Sequence, residues 1–110
     1  MRNGLTLFGT PLRSRILMLV AALEESYAAE LARALQANDD TVADIVRRLE
    51  EENILVGMPS GRQRRVRLNP RYPEARRIGE LLVFLLDADE EARLAAASIR
   101  RRPRARHKPL

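Results

Sequence analysis

Five arginines, Arg62, Arg64, Arg65, Arg67 and Arg71, fall within ten residues that contain no acid. A guanidinium is planar, always charged, and presents its donors in a fork that fits a phosphate or the edge of a guanine. The run therefore offers phosphate or base-edge recognition, although a merely solvated hairpin carries such charge too. A second cluster mixes signs: Asp39, Asp40, Thr41, Asp44, Arg47 and Arg48. There Asp40 or Asp44 suits the amino group of a cytosine. The same acids also suit a helix N-terminus, with Asp44 pairing with Arg48, and Arg47 with Glu51, one turn on. A third cluster, Arg101, Arg102, Arg104 and Arg106, follows Arg100 and precedes Lys108. It fits a flexible arm along phosphates or a solubilising end.

Catalysis finds little here. The chain has no cysteine and one histidine, His107, so the scattered serines and threonines lack an oriented base. The acid pairs Glu24/Glu25 and Asp39/Asp40 and the run Glu50 to Glu52 do not have metal-site spacing. No enzyme activity, cofactor or metal is expected.

The 110 residues suffice for one domain, with 45% hydrophobic and 32% charged residues, as in folded proteins. Net charge is +5, unevenly placed: residues 1–50 hold six basic residues against seven acids, and residues 51–110 hold fourteen against eight. An anion-binding surface is expected in the second half. No stretch is apolar for long enough to span a bilayer. The run Ile16 to Leu23 is followed by Glu24 and Glu25 instead of a cleavage site, so no signal peptide is expected. The expected location is cytoplasmic, on the nucleoid.

These clusters need elements to hold them. Thr10 and Pro11 predict a helix start, and Leu12, Ile16, Leu19 and Leu23 one buried face. A short second helix carries Ala28, Leu31, Ala32 and Leu35. After a turn at Gln36 to Asn38, a third repeats Val42, Ile45, Val46 and Leu49. The run Ile54 to Met58, the turn residues Pro59 to Arg62, and a strand through Val66 and Leu68 predict a hairpin tipped with arginine. A fourth helix from about Glu74 is apolar all round at Leu81 to Leu86, which requires burial on more than one face. A second subunit is the expected cover, through Ile78, Leu81, Leu82, Phe84 and Leu85. Lining a ligand pocket is the lesser reading. A last, alanine-rich helix follows Asp87 and Asp89.

In this order the chain resembles the ArsR-like and MarR-like bacterial winged-helix repressors. The resemblance rests on Gly9 to Leu17, Ala29 to Leu35, Thr41-Val42 to Glu51, Ile54 to Val56 and Arg65 to Pro70. It implies a mainly α fold with a small β-hairpin wing, a winged helix-turn-helix with C-terminal dimerisation helices. It also implies a homodimer on double-stranded DNA, with the helix from Asp39 to Glu51 in a major groove and the wing at the flanking backbone or minor groove. Arg62, Gln63, Arg64, Arg65 and Arg67 would then be the wing contacts, and Asp39, Asp40, Thr41, Asp44, Arg47 and Arg48 the helix contacts. Relatives that sense metals use cysteine or histidine clusters, which this chain lacks. Residues 1–72 form the expected DNA-binding unit, 73–100 the dimerisation helices and 101–110 a basic disordered tail. A transcriptional repressor is the leading expectation. The acidic face of the third helix leaves open a module that docks a protein partner, and the arginines leave open sequence-indifferent DNA coating.

Overall fold

Residues 7–101 are described by a computed structural model of the chain. Thr10 caps the first helix, α1 (Pro11–Leu23), its Oγ1 accepting the Arg13 N–H at 3.2 Å, with Pro11 in the first turn where its missing N–H costs nothing. The sequence pattern predicts one buried face for α1. The structure instead buries Ile16, Leu17, Met18, Leu19 and Val20 in succession. The reason is position: α1 is the central helix, with later elements packed on several of its sides.

After a left-handed turn at Glu24 come β1 (Ser26–Tyr27) and α2 (Ala28–Leu35). Gln36 takes the left-handed conformation that ends α2, and Ala37 N–H reaches back to Ala32 O. Asn38 then caps α3 (Asp39–Glu51), accepting the Thr41 N–H at 3.0 Å. Val42, Val46 and Leu49 face the core, and α3 ends at a left-handed Asn53, with Ile54 N–H bonded to Leu49 O. The Asn38 cap that starts α3 is the part of this turn that the sequence spells out.

β2 (Leu55–Ser60) and β3 (Gln63–Leu68) form the hairpin, and β1 adds to the far side of β3, giving an antiparallel sheet of order β1-β3-β2. Pro59 and Ser60, expected in the turn, belong to β2. The turn itself is Gly61 and Arg62, with Gly61 at φ +62°. β2 is an edge strand, and strand alternation places Pro59 where no ladder donor is needed. β1 was not foreseen, since two residues cannot show an alternation.

α4 (Ala75–Ala88) and α5 (Glu90–Arg101) pack as a helical pair on α1, and α5 also meets α2. Asp89 sits between them. Its carboxylate accepts the Ala92 N–H at 3.0 Å, capping α5, and receives Arg15 Nε and Nη2 at 2.7 and 3.1 Å. This ties α1 to the α4–α5 corner. Ala92, Ala95 and Ala96 let α5 approach closely. Arg101, assigned above to a tail, ends α5, because the alanine-rich register continues through it.

Candidate nucleic-acid interface

The exposed face of α3 is a closed ion-pair network. Asp44 pairs with Arg47, and its second oxygen lies 3.1 Å from Arg48 Nε; Arg47 also donates to Glu51 at 3.0 Å. The helix carries five acids against two arginines. Arg47 and Arg48 neutralise Asp44 and Glu51, while Asp39 and Asp40 lie in the first turn, where the helix dipole favours them. Thr41 is spent locally: both its N–H and its hydroxyl engage Asn38 Oδ1, at 3.0 and 3.3 Å. The Arg47 guanidinium is held above the ordinary arginine value, chiefly by its hydrogen bond to Glu51.

The wing arginines divide by strand face, because successive side chains point to opposite sides of a sheet. Arg64 shares the face of Val66 and reaches α3, donating from Nε and Nη2 to Glu50 at 2.8 to 3.2 Å. Its guanidinium is likewise held above the ordinary value by Glu50. Arg65 points the other way and is only 7% exposed. It lies over the ring of Tyr27, its cross-strand partner, 5.3 Å from the centroid, with Nε 3.7 Å from Glu25. Arg65 therefore does not stand at the solvent face as the arginine run suggests, because strand alternation and β1 cover it. Arg62 at the tip, Gln63 beside it, and Arg67 on β3 are exposed, and neither the Arg62 nor the Arg67 side chain has a hydrogen bond or ion pair among the described residues. Arg102, Arg104 and Arg106 lie outside the described residues.

Glu50, Gly57 and Tyr27 were missed by the sequence reading. Glu50 looked like one of three solvated acids, and only the fold brings it to Arg64, fourteen residues on. Gly57 did carry a signal, since a glycine inside a strand marks a close approach. A Cβ at Gly57 would lie 2.5 Å from Glu50 Oε1 and 2.6 Å from Arg64 Nε. The glycine makes room for the ion pair. A groove of about 520 Å³ runs beside it between α3 and the wing, lined by Ala43, Val46, Arg47, Glu50 and Arg64 and floored at Ala28.

The fourth helix needs a correction. Of the residues expected at a subunit interface, Leu82 and Leu85 belong to the chain's own core, and Ile78 is half-buried. They face α1, which supplies the cover assigned to a second subunit. Leu81 and Phe84 do stay exposed, with Val83 beside them and Leu94 on α5. The apolar cavity lies elsewhere, about 410 Å³ between α1, α4 and the hairpin base, lined by Phe8, Leu17, Leu68, Tyr72, Ile78 and Leu82 among others. Two polar side chains in its wall are committed to their own chain, Arg13 to Phe8 O and Glu52, and Asn69 to Asn53 O and the Arg71 N–H. Among the described residues no helix is long and apolar enough to cross a membrane.

No protein-family model matches the chain, and no curated protein matches it. A solved structure does. The crystal structure of the adhesin competence repressor of Streptococcus pyogenes superposes with a TM-score of 0.52, covering 83% of this chain and 77% of that one at 21% identity. At that identity the likeness establishes the fold, and the fold is a winged helix-turn-helix.

Proposed function

We propose that this protein is a DNA-binding transcriptional regulator, a repressor that acts as a homodimer. The observation that carries the reading is the juxtaposition of a capped helix-turn-helix with an arginine-tipped hairpin locked beside its second helix. The superposed structure is that of a repressor, which supports the same class. In this reading α3 enters the major groove. Arg47 meets a guanine, and Asp44 accepts from a cytosine amino group, so its base contacts favour G·C pairs. Arg62 and Arg67 take the flanking phosphates. Leu81 and Phe84 supply the contact between subunits, where two copies bury what one leaves wet.

A salt series on mixed-sequence duplex DNA tests the backbone part. Affinity is expected to fall steeply with salt, and Arg62→Gln or Arg67→Gln to reduce the log–log slope by about 0.9 per protomer. A folded protein that binds no duplex at any salt would end the DNA reading. A second reading has one observation in its favour: Asp39 and Asp40 at the head of α3 have no ion pair among the described residues. They suit a basic protein partner, and Asp39→Asn with Asp40→Asn would then weaken that capture while DNA binding, under the first reading, holds or tightens.

A further inference from the structure

The pair between Glu50 and Arg64 does something that the pairs within α3 do not. The pairs within α3 join residues three or four apart on one helix and can alter only that helix. Glu50–Arg64 joins α3 to the wing. The covalent link between α3 and β2 is short, running through Glu52, the left-handed Asn53 and Ile54. The ion pair is a second, non-covalent tie between the two elements. It is made in fork fashion, with Nε and Nη2 both engaged, so it fixes direction as well as distance. The Glu50 side chain is only 19% exposed, against 58% for Arg64. Gly57 lies beneath the pair, where a Cβ would push the ends of the Glu50 and Arg64 side chains aside. A strand position without a side chain, a shielded carboxylate and a two-pronged arginine make a built joint.

We propose that Glu50 and Arg64, seated over Gly57, are positioning residues that set the angle between wing and recognition helix, and that Arg64 is not a phosphate ligand. The role rests on the DNA-binding reading given above. A protein that contacts a major groove and its flanking backbone together must present two elements at the spacing of the duplex. Holding them there beforehand removes an ordering cost from binding to the correct site. Binding that uses charge alone does not need that angle. The joint therefore acts on specificity more than on affinity. It also divides the labour of the wing: Arg64 holds the hairpin, and the exposed Arg62 and Arg67 remain for phosphates.

The test uses the duplex that the wild-type protein selects from a random pool, and a scrambled duplex of the same length. Both are titrated over a salt series with wild type, Glu50→Gln, Arg64→Gln and the exchanged pair Glu50→Arg with Arg64→Glu, each shown folded by circular dichroism. Each single variant is expected to lower the ratio of selected to scrambled affinity about tenfold, with the salt slope unchanged, and the exchanged pair to recover most of the ratio. The opposite result is a slope lower by about 0.9 per protomer in Arg64→Gln, with the ratio intact in Glu50→Gln. Arg64 would then be an ordinary phosphate ligand parked on Glu50, and the proposal fails. Wild-type protein that binds duplex without selecting a sequence overturns the positioning role and leaves the DNA reading standing. Wild-type protein that binds no duplex sinks the DNA reading and the positioning role with it.

Discussion

Arg65 lies over the Tyr27 ring with a buried Nη2 that has no hydrogen-bond partner among the described residues. Leaving a charged donor unpaired costs stability, and the cation–π contact with Tyr27 and the nearby Glu25 carboxylate offset part of that cost. Its work is to hold β1 on the sheet. Arg65→Gln is accordingly expected to leave the salt slope of DNA binding where it was while shifting the melting temperature by a few degrees, which is about 1 kcal/mol in a domain of this size. An unchanged melting temperature with a shallower slope would put Arg65 back on the DNA. The four arginines of the wing looked equivalent in sequence because a run of like residues carries no information about partners. Three fates became visible only with the sheet in place: Arg64 on a helix fourteen residues earlier, Arg65 under a strand of two residues, and Arg62 and Arg67 in water.

At the scale of elements, Asp89 is the clearest case of one side chain serving two. It caps α5 and binds Arg15 of α1. Hydrogen bonding from Arg15 holds its carboxyl below the ordinary aspartate range, with the Ala92 N–H assisting against the opposing effect of burial. A folded pKa below the unfolded one means the contribution is present above the unfolded value, about 3.9, and is lost as pH falls through the folded value. Asp89→Asn keeps an acceptor for the cap and loses the charge. Thermal melts are expected to show the variant less stable by about 1–3 kcal/mol near neutrality, with the gap closing in strong acid; a gap that stays constant with pH would assign it to packing. The helices were legible because their caps and periods are local: Thr10, Asn38 and the repeat Val42, Val46, Leu49 need no tertiary knowledge. The central place of α1 was not legible, since a helix apolar on several sides does not say what surrounds it. The same ambiguity misassigned Leu82 and Leu85, whose cover is α1 of their own chain.

For the whole molecule, the open question is what lies against Leu81, Val83 and Phe84. Phe84 is 69% exposed, a poor place for a large apolar ring in a monomer. Under the proposed assembly, sedimentation gives twice the 12.5 kDa chain mass, and Phe84→Glu moves the equilibrium to monomer without unfolding the core, which Phe84 does not enter. A variant that remains dimeric would place the interface elsewhere. The two-fold symmetry of such a dimer would be copied in its DNA, with half-sites about one helical turn apart. The most direct measurement is therefore selection from a random pool of duplex DNA at roughly physiological salt, about 0.15 M, followed by sequencing of the bound fraction. The account predicts a palindrome with a G·C pair at the same place in each half. Folded protein that retains DNA without enriching any motif, or retains none, would contradict it.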